Sequence, residues 1–99
     1  MTNYEQFRAL GLSLQRALLG AISANVYAVG AAIVESKIVI SAVYYLPPSE
    51  DEQEDFSVVA SEVISDFSAP YTIDTEWYVM PESEPNTLDF WAFMRKEKG

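Results

Sequence analysis

The sequence predicts an α+β fold: a four-stranded, mostly antiparallel sheet with two helices on one face, in the order α-β-β-α-β-β. Two segments place apolar residues at helical spacing, and four others have the composition and alternation of strands. A chain of 99 residues is near the usual size of one domain. We therefore expect a single α/β sandwich domain over residues 1–99.

The first element is an amphipathic helix predicted over residues 2–19. Its apolar residues recur every three or four positions and form one stripe: Tyr4, Phe7, Leu10, Leu14, Ala17 and Leu18. Gly20 is a typical stop after a helix. Gly11 lies in the middle, where the missing side chain predicts close packing of this helix on the sheet.

Two strands follow, predicted over residues 25–34 and 37–46. Only Glu35 and Ser36 separate them, which predicts a tight hairpin. Both segments are apolar on both faces, as is typical of strands in the middle of a sheet.

The second helix is predicted over residues 50–67, after two prolines that end the preceding strand. Ser49 and Glu52 have the spacing of a capping box, in which each side chain bonds the other residue's backbone N–H. The apolar stripe of this helix is Phe56, Val59, Ala60, Val63, Ile64 and Phe67.

The last two strands, 70–80 and 88–94, are expected to pair as a second hairpin. Alternation then divides their aromatic residues between the two faces of the sheet. Trp77 and Phe90 are expected in the core, together with Tyr44 or Tyr45. The opposite, open face would combine aromatic and acidic residues: Tyr78, Trp91, Phe93, Asp74, Glu76 and Asp89.

Composition excludes several functions. The chain has no cysteine and no histidine, which removes the thiolate nucleophile, the commonest general base and the commonest metal ligands. No glycine-rich phosphate loop or nucleophile motif is present either. We therefore expect no enzyme activity, no cofactor and no metal. The N-terminus lacks the pattern of a signal peptide and no apolar run could span a bilayer, so we expect a soluble, cytoplasmic protein.

The charge is strongly negative and unevenly placed. The formal net charge is −9, and residues 38–94 contain twelve acids but no lysine or arginine. Such a field repels phosphates and anionic lipids and attracts cationic surfaces. The sequence thus disfavours direct binding to nucleic acid or a membrane and favours a basic protein partner.

Five of these acids lie within residues 50–55. Acids in the first turn of a helix interact favourably with its dipole, and a solvated helix face is the commonest explanation for a charge run. Neither explanation accounts well for Glu54 and Asp55, where repulsion grows and the dipole effect fades. A calcium loop is disfavoured because it would need a central glycine. The expected partner-binding residues are Glu50, Asp51, Glu52, Glu54, Asp55, Asp74, Glu76, Tyr78 and Trp91.

The order of the parts also resembles a known group of proteins. The stretch NVYAVGAAIVESKIVISAVYYLPPSEDEQEDFSVVASEVISDF, followed by TIDTEWYVMPESEP and a closing WAFMRKE, resembles small bacterial immunity proteins of contact-dependent growth inhibition and related polymorphic toxin systems. The resemblance implies a cytoplasmic protein that binds and blocks one toxin domain. Many such toxins are nucleases with basic clefts.

The sequence therefore predicts an immunity protein that covers the basic surface of a cognate toxin with an acidic patch. Two alternatives stay open at this point. One is a homo-oligomeric scaffold, in which the aromatic face forms a homodimer. The other is a DNA-mimic inhibitor of a DNA-binding protein, which would use the same electrostatics. An enzyme that relies on carboxylates alone is a third alternative, less favoured than these two.

Overall fold

The computed structural model describes residues 3–80 and 88–95. Six elements follow the predicted order: α1 (Asn3–Ala17), β1 (Val26–Val34), β2 (Lys37–Tyr44), α2 (Glu50–Ser65), β3 (Thr72–Val79) and β4 (Phe90–Met94). The four strands form one mixed sheet in the order β3-β2-β1-β4. The predicted α+β class and element order are confirmed.

The first hairpin forms as predicted. β1 and β2 pair antiparallel, and Val34 pairs with Lys37 across the two-residue turn. Glu35, the first residue of that turn, has a φ of 57°. A tight hairpin turn needs such a left-handed backbone conformation, which explains how the chain reverses here without the usual Asn-Gly pair.

The predicted second hairpin is wrong. β3 pairs parallel with β2, and β4 pairs antiparallel with β1, so the last two strands lie at opposite edges of the sheet. The reason is α2, which acts as the crossover connection that a parallel strand pair requires. Once β3 occupies the free edge of β2, the open edge of β1 is available to β4.

One hydrophobic core lies between both helices and one face of the sheet. Side chains of α1, α2 and the two central strands meet there in a single cluster, and both helices pack on the same face as predicted. The buried members of the cluster are Leu10, Leu14, Ala17, Leu18, Val26, Val29, Ala31, Ile33, Ile38, Ile40, Ala42, Tyr44, Phe56, Val59 and Val63.

The other face of the sheet was expected to be open, and at its centre this is wrong. Ala28 and Ser41 are fully buried there, although their side chains point away from the helices. Leu88 packs on this face at Gly30, where a Cβ would lie 2.9 Å from Leu88 Cδ1. Glycine is therefore needed at position 30 because Leu88 and the backbone carbonyl of Phe90, the first residue of β4, approach closely.

Two aromatic residues differ from their predicted places. Phe93 packs against the core, because the β1–β4 pairing shifts by one residue between Val29 and Gly30 and reverses the alternation. Trp77 was expected in the core but is 45% exposed on the edge strand β3. Tyr44 is 2% exposed, which confirms it as a core residue.

The first turns of α1 are less buried than its apolar stripe predicts. Tyr4 is 75% exposed and Phe7 is 40% exposed. Both line an open groove of about 430 Å³ against β4, together with Arg8 and Phe90. The expected close packing at Gly11 is also wrong, because no atom lies within 4 Å of the position that a Cβ would take.

Replacing Gly11 by alanine is expected to stabilise the protein by about 1 kcal/mol, because glycine disfavours a helix interior and the new methyl group meets no neighbour. Urea unfolding of Gly11→Ala and the original chain measures the difference. Gly30→Ala is the matched control and should be destabilised, since its methyl group would lie 3.0 Å from the fixed backbone carbonyl of Phe90 as well as against Leu88. A loss of stability in Gly11→Ala would contradict this account of the α1 surface.

Candidate functional site

The acidic run occupies the start of α2, directly after its cap. Ser49 accepts a hydrogen bond from the Glu52 backbone N–H (3.1 Å), and the Ser49 N–H donates to the Glu52 carboxylate (3.0 Å), which confirms the predicted capping box. Acids in the first turn further stabilise the helix through its dipole. The local sequence thus determines both where α2 begins and where its carboxylates lie.

Glu52 is held by the protein itself. Besides the Ser49 N–H, its carboxylate accepts hydrogen bonds from Ser23 Oγ (2.7 Å) and Asn25 Nδ2 (3.3 Å). The Ser49 backbone bond, followed by the Ser23 bond, keeps the pKa of Glu52 below its usual 4.5. Glu52 therefore connects α2 to the α1–β1 connection as a charged carboxylate, and its contact with a partner stays a prediction.

The other four acids of the run are exposed. We call Glu50, Asp51, Glu54 and Asp55 the acidic face of α2. Val58, one turn after Glu54 and 50% exposed, adjoins this face at helical spacing. Sequence reasoning missed Val58, although an apolar residue outside the buried stripe of α2 was a visible signal.

No basic side chain neutralises the acidic face within residues 3–80 and 88–95. The ion pairs of these residues are Arg16–Asp66 (2.8 Å) and Lys37–Asp74 (3.0 Å). Arg95 donates hydrogen bonds to backbone carbonyls near the start of β1 and lies over the Phe93 ring. The most crowded carboxylates of the chain therefore have no cationic partner among the residues that the structure describes.

The predicted residues of β3 lie elsewhere and have partners. Asp74, Glu76 and Tyr78 pair with Val39, Ser41 and Val43, whose side chains point away from the helices. Asp74 is paired with Lys37. Glu76 accepts hydrogen bonds from Ser41 Oγ (3.2 Å) and from the Tyr78 hydroxyl, and this second bond is the main cause of the raised pKa of Tyr78.

The predicted residues therefore do not form one site. The acidic face of α2 and the β3 residues lie on opposite sides of the sheet, and Trp91 lies on β4, at the far edge from Tyr78. Three strand spacings of about 4.8 Å separate these edges, so Tyr78 and Trp91 are at least about 14 Å apart in the sheet. Trp91 is 41% exposed and remains accessible where it lies.

The structure also limits other kinds of site. In the described part of the chain, no three acidic side chains converge in a group that could hold a metal ion. Among the same residues, neither helix has the length and apolar character needed to cross a membrane. The most prominent charged feature among the described residues is the acidic face of α2.

These features define a small α+β protein whose most concentrated charge is an exposed acidic helix face. The family model described as MafI2 immunity protein matches residues 8–97. The chain therefore belongs to the MafI2 immunity protein family, which confirms the predicted resemblance, and its function is immunity against a toxin. No match was found among curated proteins.

Proposed function

We propose that this immunity protein neutralises a cognate toxin without chemistry of its own, by covering a basic surface of the toxin with the acidic face of α2. The observation that carries the proposal is the exposure of Glu50, Asp51, Glu54 and Asp55 without a cationic partner among the described residues. Carboxylates this close repel one another, and a docked cationic surface relieves the repulsion.

A nuclease is the toxin class that this charge fits best. Nuclease clefts attract phosphate with lysine and arginine, so a row of carboxylates can occupy the same cleft. Complementary charge also raises the association rate, which favours capture of the toxin before it cleaves nucleic acid. We place this event in the bacterial cytoplasm, against a toxin of contact-dependent growth inhibition or a related system.

The aromatic contacts in this proposal differ from those predicted from sequence. Trp77 pairs with Ala42, so its side chain lies on the helix side of the sheet, and it is 45% exposed. Tryptophan is among the residue types that most often dominate the binding energy of an interface. A toxin docked on α2 reaches Trp77 more readily than Tyr78, which lies on the opposite side, or Trp91 at the far edge.

The function is tested by rescue of growth. A candidate toxin domain, chosen from the reading frames next to that of this chain, is expressed in an indicator strain with and without the immunity protein. We expect growth to be restored only in its presence, and the two purified proteins to form a stable complex. A toxin that still arrests growth despite equal expression of the immunity protein would contradict the proposal.

Self-association is the second candidate function, favoured by the exposed aromatic groove of Tyr4, Phe7 and Phe90. Sedimentation velocity over a range of protein concentrations distinguishes self-association from toxin binding. A scaffold would sediment as a dimer or larger species that Phe7→Ser disrupts, whereas a toxin-binding protein sediments as a monomer until the toxin is added.

A further inference from the structure

The outer edge of β3 is open along the middle of the strand. On its inner edge, the Thr72 N–H donates to the Ser36 carbonyl beside β2 (2.9 Å). Because the backbone groups of successive residues in a strand point to opposite edges, those of Ile73, Thr75 and Trp77 point away from β2. No hydrogen bond joins the backbone of these three residues to another described residue. Their N–H groups and carbonyls are therefore available to an additional strand.

The two edges of the sheet differ in how they are protected. At the opposite edge, β4 has only five residues, and Gln15 of α1 donates a hydrogen bond to its Ala92 carbonyl (3.1 Å). β3 has eight residues, contains no proline or lysine, and pairs with β2 without a bulge. Short strands, bulges, proline and lysine are the usual means by which proteins keep an edge from pairing. The long, regular edge of β3 therefore favours pairing with another chain.

The two faces of β3 indicate the chemistry of that chain. On the helix side, Ile73 packs against the core and Trp77 is 45% exposed. On the other side, Asp74 has only the exposed ion pair with Lys37, which water and salt weaken, and Glu76 has no cationic partner among the described residues. Side chains that lie opposite each other in paired strands share a face. The complementary segment therefore alternates apolar residues with lysine or arginine.

A second copy of this chain does not provide that pattern. Two-fold pairing of β3 with itself about Thr75 places Asp74 opposite Glu76 of the other copy, and pairing about either acid places that acid opposite itself. Like charges directly opposite each other destabilise a strand pair. We propose that the outer edge of β3 receives an extended segment of alternating apolar and basic residues, which adds a fifth strand to the sheet. If the proposed function holds, on which this last step rests, the segment belongs to the toxin.

A short blocked peptide of alternating lysine and valine is the probe that tests the edge without the toxin. Amide hydrogen exchange of the ¹⁵N-labelled protein is followed by NMR, with a peptide of alternating glutamate and valine as the control. We expect the amides of Ile73, Thr75 and Trp77 to exchange rapidly in the free protein and about tenfold or more slowly when the protein is saturated with the lysine peptide. The glutamate peptide should leave them unprotected.

Three results of this experiment would overturn the proposal. One is slow exchange of the Thr75 and Trp77 amides in the free protein, which would mean that the edge is already covered. Another is protection that rises with protein concentration alone, which would make a second copy the occupant. The third is an equal response to both peptides, including no response to either.

Removing one outward N–H sharpens the test. Thr75→Pro should weaken binding of the lysine peptide about tenfold or more, because proline has no N–H and its ring blocks the approaching strand. An edge strand tolerates proline at such an outward position. Thr75→Ala is the matched control, since it removes the same exposed side chain but keeps the N–H, and it should bind within about twofold of the original protein. Equal weakening in both variants would overturn the assignment.

Methylated peptides test the same pairing on the unaltered protein. The amides of the valines and those of the lysines point to opposite edges of an extended peptide, so only one set can bond to β3. N-methylation of one set should therefore abolish binding, and N-methylation of the other should preserve it. Equal affinity of the two methylated peptides would contradict strand pairing. Because none of these measurements uses the toxin, failure of the edge pairing is distinguishable from failure of the proposed function.

Discussion

Charge reversal on α2, in the variant Glu54→Lys with Asp55→Lys, is expected to slow association with the toxin by about tenfold to hundredfold at low salt. Both side chains are exposed and lack a cationic partner in the described chain, so their field acts on an approaching basic surface. Stopped-flow measurements at several salt concentrations provide the rate. The rate of the original protein should fall steeply with salt, and that of the variant should fall much less.

Glu35→Lys is the control for total charge. Glu35 is exposed in the β1–β2 turn, away from α2, and each reversal changes the net charge by the same amount. We expect Glu35→Lys to slow association with the toxin several-fold less than each of the two reversals on α2 does. If Glu35→Lys slowed association as much as each α2 reversal, net charge rather than the acidic face would account for the rate.

Loss of the Glu52 carboxylate is expected to have the largest effect on stability. Glu52→Ala should lower the free energy of unfolding by about 2–3 kcal/mol, because it removes the Glu52 half of the capping box, leaves the Ser23 hydroxyl without its acceptor and takes from Asn25 one of its two acceptors. Urea unfolding measures the change. Glu50→Ala is the control, since Glu50 is exposed outside this hydrogen-bond network, and it should change stability by less than about 0.5 kcal/mol.

The contribution of Glu52 should also depend on pH. Its pKa in the folded protein lies below the usual 4.5, so its stabilisation is fully present above pH 4.5 and is lost as the pH falls through the folded pKa. The difference in stability between the original protein and Glu52→Ala should therefore be largest at neutral pH and shrink as the pH falls below 4.5 and through the lowered pKa of Glu52 in the folded protein. A difference that stays constant over this range would mean that the carboxylate charge does not contribute.

Local patterns predicted the elements well. The spacing of Ser49 and Glu52 predicts the capping box, and the two residues between β1 and β2 predict their hairpin, because both features depend on neighbours in sequence. The acidic run was likewise visible, and the exposure of Glu54 and Asp55 follows from the opposite, apolar stripe of α2.

Long-range arrangement could not be predicted in the same way. Alternation in β3 and β4 predicts two faces but does not say which strand lies beside which, so the separation of Tyr78 from Trp91 was missed. A one-residue shift opposite Val29 turned Phe93 inwards, and no local signal marks it. A small pocket lined by Leu18, Tyr44 and Phe56 requires separate elements to meet, which only the tertiary structure reveals.

Cross-saturation between toxin and immunity protein tests most directly whether α2 forms the contact. Two exposed valines provide the comparison: Val58, 50% exposed beside the acidic face, and Val34, 62% exposed at the end of β1. In a complex of protonated toxin with deuterated, methyl-labelled immunity protein, we predict strong attenuation of the Val58 methyl signals and none at Val34. Attenuation at Val34 with Val58 unaffected would contradict the account.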